Sequence, residues 1–356
     1  MQRRRLLAFL AGAGTVGLAG CNRPDTAAPS PTSTDPGTGT ADSTGSGEGG
    51  VYVQPFVESM ERLGSTTAGP YDVALFYTVP HRFWTVTNGE RSVVPKGGGD
   101  DGYRVHLMAV VWDPESGLAV PETGLTLELE QGDRLVSEAV IYPMLSQRMG
   151  VHYGGNFTLP ADGDYRAGIE VGGLSIRRTG AFRDRFGESA SAEIPFRFTA
   201  ADSRRVGTRE IPEAGDPGAV APMATEVPLG RAPDPDALPG TRLGTARSGD
   251  AIFEVFRLTD PPAGVDGSGP YLAVSARTRY NGFVLPAMRL SATVGEFEGD
   301  LVRTLDPDLG YHYGTAVSDL DEADRLNLTV ETPPHIGRHE GYERAFVEMP
   351  PTELSI

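Results

Sequence analysis

The chain has 356 residues, with 31 Lys and Arg against 48 Asp and Glu, and its formal net charge is −17. This charge excludes a nucleic-acid binder that needs a basic surface, and the length allows about two domains. The 46 glycines and 29 prolines interrupt the chain too often for long helices, so an all-β architecture with many turns is predicted.

The basic residues are almost all arginine, since Lys96 is the only lysine. An acidic, lysine-poor surface is typical of salt-adapted, halophilic proteins, because its charge keeps the molecule soluble. A high-GC genome that favours arginine codons explains the same bias, and both explanations remain open.

Residues 1–21 have the pattern of an export signal. Arginines at positions 3 to 5 precede an apolar run of 15 residues, which is shorter than the ~20 residues of a membrane-spanning helix. The sequence Leu-Ala-Gly-Cys ending at Cys21 resembles a lipobox, and the arginines followed by leucines resemble a twin-arginine signal peptide. We therefore expect an exported protein at the cell surface, anchored to the membrane by lipid on Cys21, its only cysteine. An uncleaved anchor or plain secretion is the alternative.

Residues 22–50 contain no large apolar side chain and are predicted to form a disordered tether. After the tether, residues 54–64 place Phe56, Met60 and Leu63 at helical spacing, which predicts one short amphipathic helix. The composition then indicates a first domain over 51–200, a Pro/Gly-rich linker over 201–250 and a second domain over 251–356.

Both predicted domains consist of short runs of β-branched, aliphatic and aromatic residues separated by Gly, Pro and Asp, a pattern typical of β-sandwiches. In the first domain the runs cover 72–79, 103–112, 125–129, 135–142, 164–171 and 193–198. In the second domain they cover 251–258, 271–279, 288–294, 301–305, 325–330 and 342–348.

The two domains have related sequences. At an offset of 165 residues, His106 aligns with Tyr271, and a Gly, a Pro and a Leu recur downstream in the same order. The tripeptide His-Tyr-Gly at 152–154 recurs at 312–314, an offset of 160. This repetition indicates a tandem duplication, although two sandwiches with similar turns would produce part of it.

Histidine and methionine are the candidates for chemistry, because no thiolate zinc motif, phosphate-binding loop or common hydrolase motif is present and no enzyme activity is expected. His106 and Met108 lie two residues apart and so on one face of a strand. Met144 precedes His152 by eight residues. Imidazole together with thioether favours copper over hard cations.

The stretches around these residues resemble the periplasmic iron-transport-associated metal-binding family, often called Fe2+ transport protein. The resemblance is carried by His106 with its strand, by Pro-Met at 143–144, and above all by His-Tyr-Gly-Gly-Asn at 152–156. It implies an immunoglobulin-like β-sandwich in each domain, binding of a copper or iron ion, and assistance to a membrane permease. Carried over by position, it implies metal ligands at His106, Met144 and His152.

The chain departs from that family in two ways. Met108 stands where the family has an acid, which removes a hard oxygen ligand and weakens the case for iron. The family's later histidine is missing from the first half, so a site shared between the halves remains open. In the second half, His312, His335 and His339 are further candidate ligands.

The sequence thus predicts two tandem immunoglobulin-like β-sandwiches in an exported lipoprotein that binds copper or iron and passes it to a membrane permease. No nucleic acid is expected as a partner, and formation of a homodimer is left open. The sequons at Asn156 and Asn327 leave glycosylation open. The alternative is a cell-surface interaction module that binds a protein or glycan and uses its histidines structurally.

Overall fold

The computed structural model describes residues 50–87, 89–97 and 101–356. The signal segment 1–21 with Cys21, and the predicted tether up to residue 49, lie outside the described residues. The described chain is almost entirely β, as predicted. None of its helices is long and apolar enough to cross a membrane.

The strands are numbered here in chain order. The first half contains β1 (Phe56–Glu58), β2 (Glu61–Ala68), β3 (Tyr71–Thr78), β4 (Phe83–Thr87), β5 (Glu90–Val94), β6 (Tyr103–Trp112), β7 (Leu125–Gln131), β8 (Arg134–Val140), β9 (Tyr142–Ser146), β10 (Gly150–Leu159), β11 (Gly163–Val171), β12 (Arg177–Arg178), β13 (Ala190–Phe198) and β14 (Thr208–Glu210). The second half contains β15 (Thr241–Ser248), β16 (Ala251–Leu258), β17 (Tyr271–Thr278), β18 (Arg289–Val294), β19 (Phe297–Asp306), β20 (Gly310–Ala316), β21 (Arg325–Thr332), β22 (Gly337–Arg338) and β23 (Thr352–Ser355). Helical structure is limited to α1 (Ala200–Ser203) and to 3₁₀ turns at Gly180–Phe182, Pro235–Ala237 and Leu320–Glu322.

The helix predicted over 54–64 is wrong, because this segment forms β1 and β2. Strand β2 pairs with β3 along its whole length, with a bulge between Arg62 and Gly64. Strand β1 pairs with the distant β14. These long-range backbone hydrogen bonds override the helical spacing of three apolar residues, whose local preference is weak.

The first half is built from two sheets that face each other. The larger sheet has the strand order β2-β3-β6-β10-β9-β22-β4-β5, and the smaller has the order β13-β11-β7-β8. The core between them includes Leu107 and Tyr153 from the larger sheet and Leu127 and Ile169 from the smaller. Because side chains alternate along a strand, the even-numbered residues of β6 point to the outer face of the larger sheet.

The second half curls its strands in the order β15-β16-β17-β20-β19-β18-β21-β23. Its first strand begins at Thr241, within the segment predicted as a linker. The described chain belongs to one compact unit. No observation tests the predicted domain boundaries or the immunoglobulin-like topology, and both stay predictions.

The two halves exchange one short strand each. Strand β22, from the second half, pairs in parallel with β9, and Gly337 lies opposite Met144. Strand β12, from the first half, pairs in parallel with β19, and Arg177 lies opposite Thr304. Both members of each pair differ by 160 residues from their counterparts, the same offset that relates the His-Tyr-Gly tripeptides. The exchange is therefore reciprocal, and each half completes a sheet of the other.

Candidate metal centre

The outer face of the larger first-half sheet carries the candidate ligands. In the strand register, His106 of β6 lies opposite Asn156 of β10, and His152 of β10 lies opposite Met144 of β9. Directly paired residues point to the same face, so these four side chains share one face. That face is opposite the sandwich core to which Leu107 contributes.

Two further histidines cover this face. His339 follows the exchanged strand β22, and its Nε2 lies 3.1 Å from Met144 Sδ. His81 lies between β3 and β4, with its ring centroid 4.2 Å from that of His106 and 4.7 Å from that of His339. The ring centroids of His152 and His339 are 5.0 Å apart. All four imidazoles are buried, and ligand nitrogens of His81, His106 and His339 lie within 4.8 Å of one another.

Hydrogen bonds fix the ring orientation of three of the histidines. Each Nδ1 has an oxygen partner: Asn156 Oδ1 at 2.9 Å for His106, the Gly150 carbonyl at 3.0 Å for His152, and the Arg82 carbonyl at 3.0 Å for His81. A neutral ring that donates from Nδ1 has its lone pair on Nε2. Metal-binding histidines are held by the same kind of contact.

The Nε2 atoms of His106 and His152 are buried and have no hydrogen-bond partner. A buried polar atom without a partner costs free energy, on the order of 1–3 kcal/mol. Two such atoms beside a thioether and two more imidazoles therefore fit a bound metal ion, which would use both lone pairs.

Burial keeps these imidazoles neutral. It lowers the pKa of His152 to about 4 and the pKa of His106 and His339 well below the ordinary value, and the neighbouring histidines lower them further. Burial also lowers the pKa of His81. A metal ion arriving at neutral pH thus meets lone pairs and has no ring proton to displace.

Gly154 leaves the space that the cluster encloses. It lies in β10 between His152 and Asn156 and opposite Met108. A Cβ atom at this position would lie 2.7 Å from His106 Nε2 and 3.2 Å from Met144 Sδ. Any side chain here would therefore enter the volume between the nitrogen and the sulfur.

The structure brings together His106, Met144, His152 and His339, and it adds His81, which the sequence analysis did not select. Met108 lies on the same face but packs with Phe76, Val110 and Met149 in a small apolar cluster. His312 is hydrogen-bonded to Tyr271 in the second half, and His335 is exposed. The ligand role of each predicted residue stays a prediction. His81 is an isolated histidine between two strands, and no motif marks it in the sequence.

Comparisons with known proteins give limited matches. A family model described as a domain of unknown function (DUF7350) matches residues 236–355, about a third of the chain. No curated protein matches. Among solved structures, a copper-bound variant of Campylobacter jejuni P19 is 17% identical and covers 40% of this chain and 98% of that chain, with a TM-score of 0.29. FetP from uropathogenic E. coli is 18% identical and covers 40% of this chain and 97% of that chain, with a TM-score of 0.30. Copper-reconstituted P19 gives 16% identity and a TM-score of 0.28. These TM-scores are too low to carry an inference about the site.

Proposed function

We propose that the chain binds one copper ion in the cluster formed by His81, His106, Met144, His152 and His339. The observation that carries this proposal is the pair of buried, unpartnered Nε2 atoms of His106 and His152 beside the Met144 thioether. The residues that would hold the ion are those two histidines, Met144 and His339, with His81 as the fourth imidazole of the group. The ion is the cargo of the protein.

The donor set favours copper over iron. Imidazole binds Cu(I), Cu(II) and iron, whereas thioether sulfur strongly prefers Cu(I). Among the described residues, the one group recognised as able to hold a metal contains histidines alone. Met108 stands where the resembled family has its acid, so no carboxylate from that position supplies the hard oxygen ligand that iron favours.

The residues around the cluster prepare it for the ion. Asn156 accepts from His106 and donates to the His81 carbonyl at 2.9 Å, so one side chain positions two elements of the site. The strand exchange brings His339 onto the cluster, and its backbone N–H donates to the Leu145 carbonyl at 3.1 Å. Burial of all four rings excludes water from the ligand atoms.

The wider function is proposed from the sequence. An exported lipoprotein held to the membrane by Cys21 would present the copper centre at the cell surface, close to a membrane permease that takes up the metal. The signal segment and the resemblance to an iron-transport-associated family support this assignment. Iron remains the cargo to be tested against copper.

The test is a competition titration with chelators, using Cu(I), Cu(II) and Fe(II). His152→Ala is expected to abolish tight binding, because it removes one of the two unpartnered nitrogens. Met144→Ala is expected to weaken Cu(I) binding more than Cu(II) binding, because the imidazoles remain. Truncation of a buried Met typically costs about 2–5 kcal/mol of stability, so thermal unfolding is measured alongside.

Met149→Ala is the matched control, since Met149 is a buried methionine that packs in the apolar cluster with Met108. It is expected to lower stability and leave copper affinity unchanged. Weak binding by the wild-type protein, or equal binding by all variants, would contradict the proposal and favour an interaction module.

A further inference from the structure

The second half contains a counterpart of the metal centre, position by position. His312 of β20 is the counterpart of His152, and its Nδ1 contacts the Gly310 carbonyl at 3.0 Å, as His152 Nδ1 contacts Gly150. The two rings differ at Nε2. His152 Nε2 has no partner, whereas His312 Nε2 lies 3.0 Å from the Tyr271 hydroxyl.

The other ligands have oxygen-bearing counterparts. Tyr271 aligns with His106, and Thr304, which lies opposite Arg177, corresponds to Met144, which lies opposite Gly337. Thr179 corresponds to His339, because its backbone N–H donates to the Leu305 carbonyl at 3.1 Å just as that of His339 donates to Leu145. The soft donors of the first half are thus replaced by hydroxyl groups.

A cation lies among these oxygens. The Arg177 guanidinium donates to Thr304 Oγ1 at 2.9 Å, to the Tyr271 hydroxyl at 2.9 Å and to the Gly314 carbonyl at 2.6 Å. Gly314 is the counterpart of Gly154, the residue that leaves space in the metal centre.

The position equivalent to Arg177 in the metal centre is Gly337, which has no side chain. A Cβ atom on Gly337 would already lie 3.3 Å from Met144 Cγ. The half that carries soft ligands therefore has no side chain at this position, and the half that carries hydroxyl groups has an arginine. The ligand type and the presence of the guanidinium change together.

We infer that the Arg177 guanidinium takes, in the second half, the place that the metal ion takes in the first, so that the chain binds one ion and closes its second site with its own cation. Guanidinium supplies five N–H donors and stays charged at any physiological pH, and hydroxyl and carbonyl oxygens are acceptors for it. Tyr271 completes the chain of contacts, since its hydroxyl accepts from Arg177 and donates to His312 Nε2. This inference rests on the proposed function for the identity of the ion.

The first experiment rebuilds the second site. In a background in which His106→Ala and His152→Ala silence the first centre, Tyr271→His, Thr304→Met and Thr179→His are introduced, with Arg177 kept or changed to Gly. Copper per chain is counted by native mass spectrometry and by chelator competition, and folding is checked by circular dichroism. The variant that keeps Arg177 is expected to bind no copper, and the variant with Arg177→Gly is expected to bind one equivalent. Equal binding by both, or no binding by a folded Arg177→Gly variant, would overturn the inference.

The second experiment does not depend on copper and uses single variants of the full chain. Arg177→Gly is expected to lower Tm, and millimolar guanidinium is expected to restore part of the loss by occupying the vacated position. Arg178→Gly is the control, because Arg178 contacts the Arg185 carbonyl and none of the three acceptors of Arg177. Rescue of both variants, or of neither, would overturn the inference. A wild-type protein that fails to bind copper would contradict the proposed function and leave this second result decisive for Arg177.

Discussion

Gly154→Ala is the smallest change that fills the proposed copper position. The added methyl carbon would lie 2.7 Å from His106 Nε2, about 0.7 Å short of an ordinary contact of about 3.4 Å, and 3.2 Å from Met144 Sδ. Either the methyl group or the imidazole must move by several tenths of an ångström. Metal–ligand distances tolerate only about ±0.2 Å, so the nitrogen and the sulfur can no longer reach one ion.

The expected loss is at least about 100-fold in copper affinity, or about 2.8 kcal/mol. This exceeds the lower range found for changes outside the ligand shell, about 10- to 100-fold, because the methyl group enters the site itself. The apoprotein is expected to lose about 1–3 kcal/mol of stability from the tight contact. Affinity is measured by Cu(I) titration against a chelator, and stability by urea unfolding without metal.

Gly155→Ala is the matched control. Its added methyl group would meet the Phe157 ring at 3.2 Å and the Ile141 side chain at 3.3 Å, in the sandwich core on the opposite face of the same strand. Neither glycine has a positive φ, so alanine is sterically allowed at both. Gly155→Ala is expected to cost stability and leave copper affinity unchanged. If Gly154→Ala binds copper as tightly as the wild-type protein, the proposed position of the ion is refuted.

Four other predictions concern the site, the fold and the membrane anchor. Asn156→Ala removes the acceptor that orients His106 and is expected to weaken copper binding by about 10- to 100-fold in the same titration; unchanged affinity would show that the ring needs no such support. Burial raises the pKa of Glu58 to about 7 from 4.5, so the native state keeps a proton that the unfolded chain releases, and stability falls as the pH rises from 4.5 through 7. Glu58→Gln is therefore expected to stabilise the protein by about 3 kcal/mol at pH 8 and not at pH 4 in urea unfolding; an equal effect at both pH values would contradict this assignment. The net charge of −17 is expected to make Tm rise with salt, because the Debye length falls from about 30 Å at 0.01 M to about 3 Å at 1 M; a flat Tm would count against salt adaptation. Cys21→Ser is expected to release the protein into the medium, and an unchanged membrane fraction would exclude lipid at this residue.

The sequence was sufficient for the fold class and for part of the site. Short β-branched runs between glycines and prolines predicted the strands, and alternation along β6 and β10 put His106 and His152 on faces that the structure shows to be the same. Helical spacing over residues 54–64 was misleading, because pairing with distant strands decided that segment. Local patterns carry no information about such pairing.

The missing parts of the site were those supplied from a distance. His339 reaches Met144 through β22, a strand of two residues that no periodicity can reveal. His81 sits between two strands without a recognisable motif. The offset of 160 residues was visible in the tripeptides, but the reciprocal exchange that follows from it depends on long-range backbone contacts.

The exchanged strands also impose an order on biosynthesis. His106, Met144 and His152 leave the ribosome well before His339, so a nascent chain carries an incomplete set of ligands for most of its translation. The copper pocket closes only when the last part of the second half has been made and has docked onto the first. Metal occupancy would then distinguish a finished, assembled molecule from a truncated or half-folded one, and a chain interrupted before residue 339 would lack that mark however well its first sandwich folded.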